Sequence, residues 1–232
     1  MIDLAETALV VVDMQNDFCD ERGYYGSKGL PIQPVRTALP ALARLLATVR
    51  ARRGTVIFTR MVHDPRVADV MRRHRLLPAG WVADEPRLVP GTWGAEIVDE
   101  LRPLDDEVVF NKADYSAFYQ TGLEAHLRRS GMRTLLLGGA IDHACVLHTA
   151  FDAFCRDFDV VIARECVSGW YPELGQAALR MVELLLGRVA QLEDVLKDVS
   201  RRPAAGTSAA GGVGLNPPRR TTPRGRVGRS DV

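Results

Sequence analysis

The sequence predicts an α/β fold in which helices cover both faces of a parallel sheet. Short runs of β-branched residues and leucine, typical of strands buried on both faces, alternate with segments of helical periodicity almost to residue 200. This alternation indicates βαβ units, whose right-handed crossovers place helices on both sides of the sheet. At 232 residues the chain is long enough for one domain of ordinary burial.

The strands are the apolar runs that end at polar or glycine residues. In chain order they are predicted at 7–13, 55–59, 107–112, 133–138, 160–163 and 188–192. The helices between and after them are predicted at 35–53, 121–130, from about 143, 172–186 and 193–199. The first helix carries leucines on one face, ends at Gly54 and tolerates Pro40 only in its first turn. The second opens with Thr121 and Glu124 spaced as a capping box.

Two segments break this pattern. Residues 61–94 are rich in arginine and proline, and they predict either a lid or substrate loop, or a short surface helix with loops. From Arg201 onward, seven arginines accompany a single acid, Asp231, without apolar periodicity. That composition predicts a solvated tail, with an anion-binding arm as the alternative. We therefore expect a domain over 1–199 and a disordered tail over 200–232.

Charge and cysteine content narrow the class of protein. A net charge of +1 gives no reason to expect a nucleic-acid or acidic-lipid partner. The chain begins without a secretory signal and has no run of about 18 apolar residues, so we expect a soluble cytoplasmic protein. Its four cysteines lack CxxC spacing, which argues against structural zinc, and no glycine-rich phosphate loop follows the first strand.

Three reactive side chains stand at or just beyond the carboxyl ends of predicted strands. Asp13 ends the first, Lys112 ends the third, and Cys145 follows the fourth where a helix begins. Open parallel sheets bind ligands at this edge, so the three groups are candidates for acyl-transfer chemistry. A helix start lowers a thiol pKa, and its free amides stabilise a developing oxyanion. The alternative for Cys145 is a cysteine buried at a strand–helix junction.

The remaining candidate site residues can likewise be interpreted as either catalytic or purely structural. Asp13 is a candidate general base for the thiol, its pKa raised by desolvation, or a turn-forming aspartate. Lys112 either holds that carboxylate and favours the thiolate, or extends to the surface. His143 and His148 flank Cys145 as rival bases, although neither has an obvious orienting acid. His63 either touches substrate or fills a turn.

Three separated motifs resemble those of one enzyme family. They are residues 11–18 (VVDMQNDF), 111–112 with 115–121 (NK and YSAFYQT), and 138–146 (GGAIDHACV). They resemble the isochorismatase-like cysteine hydrolases, the family of nicotinamidases, N-carbamoylsarcosine amidase, ureidoacrylate amidohydrolase and biuret hydrolase. Order and spacing agree over roughly residues 5–198, and the tail lies outside the match.

This resemblance implies a three-layer α/β/α fold, the isochorismatase-like hydrolase fold, around a six-stranded parallel sheet in the order 3-2-1-4-5-6. It implies a catalytic triad of Asp13, Lys112 and Cys145. It also implies a cis peptide bond between Ala140 and Ile141, which aims the Ile141 and Cys145 amides at the substrate oxyanion. Family members are commonly homodimers or homotetramers, and we expect the same here.

Departures from the family pattern limit which cofactor, substrate and reaction we expect. Metal-binding nicotinamidases carry an aspartate two residues before a histidine after the second strand, and here Met61 precedes His63. We therefore expect no metal, no other cofactor, and a substrate other than nicotinamide. Isochorismatases that cleave a vinyl ether lack the cysteine, so Cys145 favours amide chemistry. Residues 21–25 and 90–94 look most like the biuret and ureidoacrylate branch.

These observations lead to one hypothesis and two rivals. The hypothesis is hydrolysis of a linear, non-peptide C–N bond in a small amide, carbamoyl or ureido compound through a thioester on Cys145, with Asp13 moving the proton in both steps. The first rival is a vinyl ether hydrolase in which Asp13 is the acid. The second is an inactive binding protein of the same fold. The residues predicted to contact substrate are Phe18, His63, Trp93 and Tyr119.

Overall fold

The computed structural model describes residues 2–63 and 87–200, and a six-stranded parallel sheet forms its centre. The strands are β1 Thr7–Val12, β2 Thr55–Met61, β3 Val108–Lys112, β4 Thr134–Ala140, β5 Asp159–Ser168 and β6 Gly187–Ala190. They are arranged in the order β3-β2-β1-β4-β5-β6, and each neighbouring pair is parallel. The predicted fold class and strand order are confirmed.

Helices connect the strands and surround the sheet. They are α1 Asn16–Cys19, α2 Tyr24–Ser27, α3 Ile32–Thr37, α4 Leu39–Ala51, α5 Leu123–Arg129, α6 Leu147–Phe154, α7 Pro172–Met181 and α8 Leu192–Ser200. A π-helical turn, Asp142–Val146, leads into α6, and a second, Val182–Leu186, continues α7. No helix within the described parts of the chain is both long and apolar enough to span a bilayer.

The core lies at the middle of the sheet, where β1 is buried along its whole length between β2 and β4. Two glycines of β4 permit its close packing. A Cβ on Gly138 would lie 2.6 Å from a methyl carbon of Leu42 in α4, and one on Gly139 would lie 2.1 Å from the Val12 carbonyl oxygen. Gly139 also has φ 128°, in the region that favours glycine. These glycines bring the ends of β1 and β4 together.

Several predicted boundaries differ from the structure. The helix predicted at 35–53 is two helices that meet at Ala38, and Pro40 lies in the first turn of α4 as expected. The capping box is wrong: α5 begins after Gly122, and the Glu124 carboxylate pairs with Arg128 and Arg156 instead of reaching back. β5 continues five residues past its predicted end at 163, beyond a shift in its register with β4.

Two predictions fall on residues that the structure does not describe. Most of the loop predicted over 61–94 lies there, because the description stops at 63 and resumes at 87. The tail predicted over 200–232 lies there apart from Ser200. The division into a domain over 1–199 and a tail therefore stays a prediction.

Candidate active site

The three reactive side chains at the strand ends meet at the carboxyl edge of the sheet. Lys112 Nζ lies 2.5 Å from Asp13 Oδ2 and 3.4 Å from Cys145 Sγ. It also donates a hydrogen bond to the Asp114 carbonyl at 2.8 Å. The Asp13 and Lys112 side chains are fully buried, and Cys145 is 3% exposed. The topology thus assembles a carboxylate, an ammonium and a thiol in one enclosed cluster.

Asp13 is held by the strand next to its own. It follows β1 with φ 49°, a left-handed conformation uncommon for a residue other than glycine. Its backbone amide donates to the Thr59 carbonyl at 3.2 Å, and its Oδ1 accepts a hydrogen bond from the Thr59 hydroxyl at 2.6 Å. One carboxylate oxygen is therefore fixed by β2, and the other, Oδ2, contacts Lys112.

Burial controls the ionisation of the sulfur. Desolvation raises the pKa of Cys145 to about 12; the positive charge of Lys112 opposes this rise, while the charge of Asp13 and a hydrogen bond to it add to it. The prediction that the helix start lowers this pKa is wrong, because loss of hydration outweighs the favourable charges. Burial alone would lower the pKa of Lys112, but Asp13 and Cys145 raise it above its usual value. Burial thus favours the neutral thiol, while the neighbouring Asp13 and Cys145 favour the ammonium form of Lys112.

A cavity of about 300 Å³ opens over the sulfur. Its described lining is mostly aromatic and apolar, with polar groups at a few points: Phe18, Tyr25, Met61, His63, Arg87, Tyr115, Ile141, His143, Ala144, Cys145, His148, Trp170, Tyr171 and Leu174. One wall is an aromatic stack in which the Tyr25 ring lies 5.1 Å from Phe18 and 4.7 Å from Trp170. Such a volume and lining suit a small ligand.

The predicted site residues divide into two groups. Phe18, His63 and Ile141 line the cavity beside Cys145, and the peptide bond before Ile141 is cis. Trp93 and Tyr119 do not line it, and their side chains are 47% and 41% exposed.

The chain packing around Trp93 explains where its ring lies. The Asn16 side chain donates to the Trp93 carbonyl at 2.7 Å, and Gly94 packs directly against the Asp17 carboxylate. The indole ring lies beside Arg22, 4.7 Å from its guanidinium, in a separate surface groove. The prediction that Trp93 and Tyr119 form pocket walls therefore does not hold in this structure.

Other lining residues were not identified from the sequence. Trp170 and Tyr171 follow the carboxyl end of β5, and the strand pattern would have indicated them had its end been placed at 168. Arg87 is 4% exposed and precedes Leu88. The Leu88 amide donates to Asp17 Oδ2 at 2.8 Å, and its carbonyl accepts from the His63 amide at 2.9 Å. These bonds anchor the Arg87 backbone at the cavity.

The two histidines near Cys145 are held differently. Asp142 Oδ1 accepts hydrogen bonds from the His143 backbone amide at 2.7 Å and from His143 Nδ1 at 2.6 Å. His148 Nδ1 donates to the Ala144 carbonyl at 2.8 Å. The expectation that neither histidine has an orienting acid is thus wrong for His143, whose acid is the preceding residue.

The side chains at the end of β2 and just beyond it do not fit a divalent metal. Met61 and His63 both line the cavity, but a thioether replaces the carboxylate that a hard or borderline cation prefers. Within 2–63 and 87–200, no three histidine, cysteine or acidic side chains cluster in a way that could hold a metal ion. The absence of a metal cofactor stays a prediction.

Comparisons with known proteins agree with this architecture. Residues 7–194 match the family model described as isochorismatase domain. A ureidoacrylate amidohydrolase of Methylorubrum extorquens is 30% identical over 204 residues, covering 82% of this chain and 81% of its own. Among solved structures, a Bacillus subtilis nicotinamidase/pyrazinamidase is 30% identical with TM-score 0.69, over 80% of this chain and 100% of its own. The N-carbamoylsarcosine amidase of Thermoplasma acidophilum is 25% identical with TM-score 0.65, over 81% and 97%. The chain belongs to the isochorismatase family.

Proposed function

We propose that this protein is a cysteine-dependent amidohydrolase that cleaves a linear, non-peptide C–N bond of a small amide, carbamoyl or ureido compound. The observation that carries the proposal is the contact of one buried ammonium, Lys112, with both Asp13 and Cys145 beneath the cavity. Relatives named as amidohydrolases of ureidoacrylate, nicotinamide and N-carbamoylsarcosine support the reaction class.

In the acylation step, Asp13 takes the proton of the Cys145 thiol as the sulfur attacks the substrate carbonyl. A thiol whose pKa is near 12 is a poor nucleophile until its proton moves, so a base in contact with it is needed. Lys112 stabilises the charges on both partners while the proton is transferred. The backbone amides of Ile141 and Cys145 are the proposed donors to the oxyanion.

The tetrahedral intermediate then collapses to a thioester. Asp13 returns its proton to the departing nitrogen, the C–N bond breaks, and ammonia or an amine leaves. Water hydrolyses the thioester in the second step and regenerates the thiol. The aromatic wall of Phe18, Tyr25 and Trp170 is proposed to exclude bulk water and position the acyl group.

The same proposal covers substrate size and assembly. The cavity of about 300 Å³ suits a compact compound such as ureidoacrylate or biuret, the substrates of the branch that the sequence favours.

We also propose the homodimer or homotetramer and the cytoplasmic location expected from the sequence. Large apolar side chains that remain exposed on α6 and on the turn after α7, among them Phe154, Leu184 and Leu185, support self-association.

The test is ammonia release from ureidoacrylate, biuret, N-carbamoylsarcosine and nicotinamide, combined with intact-mass analysis during turnover. We expect at least one compound to be hydrolysed and to leave an acyl adduct on Cys145. Cys145→Ala should reduce the rate by at least about a thousandfold, because no thioester can form. Cys155→Ala, at an exposed cysteine, is the matched control and should keep the wild-type rate.

The two rival functions predict different results. A vinyl ether hydrolase keeps its activity in Cys145→Ala and forms no adduct, whereas an inactive binding protein releases no ammonia from any compound. A normal rate of ammonia release by Cys145→Ala would overturn the cysteine mechanism.

A further inference from the structure

We propose that His143, held by Asp142, is a second catalytic base that activates the water in thioester hydrolysis. The inference rests on the proposed function and assigns the two half-reactions to different bases. Asp13 serves acylation from below the sulfur, and His143 serves deacylation from the cavity wall. Three observations carry this assignment: the support of the Asp142 carboxylate, the nitrogen that His143 leaves available, and the position of each base relative to the cavity.

The Asp142 carboxylate is enclosed between two stretches of backbone. Asp142 is 8% exposed, and both bonds from His143 end on its Oδ1. A Cβ on Gly169 would lie 2.3 Å from Oδ1, and one on Gly175 would lie 2.2 Å from Oδ2. Only glycine at these two positions leaves room for the carboxylate, so the surrounding chain restricts where it can lie. Such outer support fixes the orientation of the imidazole it contacts.

The bond to Asp142 determines which nitrogen of His143 can act as a base. A carboxylate accepts hydrogen bonds, so Nδ1 carries the proton in the neutral ring and Nε2 keeps its lone pair. The His143 side chain is 16% exposed and lines the cavity with Cys145. Since Nδ1 is engaged, Nε2 is the nitrogen that a water molecule in the cavity can meet.

Asp13 is placed less well for the second step. Its side chain is fully buried, contacts Lys112 and Thr59, and is not part of the described cavity lining. In the thioester the acyl group extends from Cys145 into the cavity and separates Asp13 from the open side. Water therefore reaches the thioester carbonyl past the wall that carries His143.

The step balances without any further reactant. His143 Nε2 takes one proton from water as the oxygen bonds to the thioester carbonyl carbon. The C–S bond then breaks, the acid product leaves, and the sulfur departs with the electron pair of that bond. The proton from His143 Nε2 returns to the sulfur, which restores the thiol and the neutral imidazole.

The test compares the two half-reactions in His143→Gln. The probe is whichever of the four compounds named above the wild-type enzyme hydrolyses fastest. We expect deacylation to slow by about 100-fold, as general-base removal commonly does, while single-turnover ammonia release stays within about threefold of wild type. The acyl adduct on Cys145 should then accumulate to nearly one per protein chain by intact mass. Equal slowing of both steps without accumulated adduct would overturn the proposal.

Two further variants separate catalysis from folding. Asp142→Asn keeps an oxygen for both bonds from His143 but removes the charge, and we expect it to accumulate the same adduct with deacylation about tenfold slower. His148→Gln changes the other cavity-lining histidine, which has a carbonyl partner in place of a carboxylate. Whatever its effect on binding, it should accumulate no more adduct than the wild-type enzyme; accumulation equal to that of His143→Gln would overturn the assignment. If the wild-type enzyme released no ammonia from any of the four compounds, the proposed function and not this step would fail.

Discussion

Each end of β3 has an ion pair beside it, and the two pairs are built differently: the first is partly exposed and the second is fully buried. Before the strand, Glu107 receives both arms of the Arg50 guanidinium, at 2.8 and 2.7 Å, and the Leu104 amide at 2.8 Å. At its carboxyl end, Lys112 meets Asp13 at 2.5 Å but shares its ammonium with the Cys145 sulfur. The first pair binds only its own structural partners, whereas the second includes a nucleophile.

The two pairs also differ in how far their charged side chains are buried. Arg50 keeps 24% of its side chain exposed, so its charge remains partly hydrated. Asp13 and Lys112 have no exposed side-chain surface, and each depends on the other to compensate for lost hydration. The free energy of such a pair changes strongly when one of its charges is removed or one proton is transferred. That sensitivity suits the Asp13–Lys112 pair to proton transfer. The geometry of the Arg50–Glu107 pair instead suits it to stabilising the fold before β3.

The largest expected effect comes from removing one charge of the enclosed pair. Lys112→Met leaves the Asp13 carboxylate buried without its ammonium, and we expect a loss of about 3–5 kcal/mol in the free energy of unfolding. Urea unfolding at neutral pH measures this loss. The double variant Asp13→Asn with Lys112→Met should recover most of it, because neither charge then remains. A loss below about 1 kcal/mol in the single variant would contradict this account of the pair.

A second prediction concerns the proton on the sulfur. Because burial raises the pKa of Cys145 to about 12, its alkylation by iodoacetamide should accelerate about tenfold per pH unit between about pH 7 and 9. The measurement uses Cys155→Ala, which removes the exposed thiol, with peptide mapping to identify the labelled cysteine. A rate that levels off below about pH 8 would contradict a resting thiol whose pKa lies near 12.

The sheet could be predicted because its signals are local. Apolar runs such as 7–13 identify buried strands directly, and the family resemblance supplied the strand order that periodicity leaves open. Boundaries were less certain where tertiary contacts decide them. β5 continues to Ser168, whose hydroxyl donates to the Pro34 carbonyl at 2.5 Å, a partner 134 residues away. No pattern within the strand reveals that contact.

The cluster of reactive side chains at the base of the cavity could be predicted from the sequence, and the residues that line the cavity above it could be predicted less well. Asp13 and Lys112 stand at strand ends and Cys145 lies in the turn that follows β4, so the topology brings the three to one edge. The walls depend on side-chain directions in loops and turns, which placed Tyr25 and Trp170 in the cavity and Trp93 outside it. The partnership of Asp142 with His143 likewise depends on a π-helical turn that the sequence pattern does not identify.

The smallest predicted effect tests the structural pair before β3. Burial raises the pKa of Glu107, but the bonds from Arg50 and the Leu104 amide outweigh it and hold this pKa below its ordinary value of 4.5. A lowered folded pKa means that the pair stabilises the protein above about pH 4.5, and that this contribution is lost as the pH falls through the folded value. Glu107→Gln should therefore cost about 1 kcal/mol at pH 7, reduced by the hydration of Arg50, and less near pH 3.

Urea unfolding of the wild type and Glu107→Gln at both pH values measures this difference. Ammonia release by the variant should stay at the wild-type level, because Glu107 lies at the opposite end of β3 from the sulfur. An equal cost at both pH values would mean that the carboxylate charge contributes nothing and that packing alone holds this end of the strand. A fall in activity without a fall in stability would mean that the two ends of β3 are coupled, and the contrast between a structural pair and a reactive pair would no longer stand.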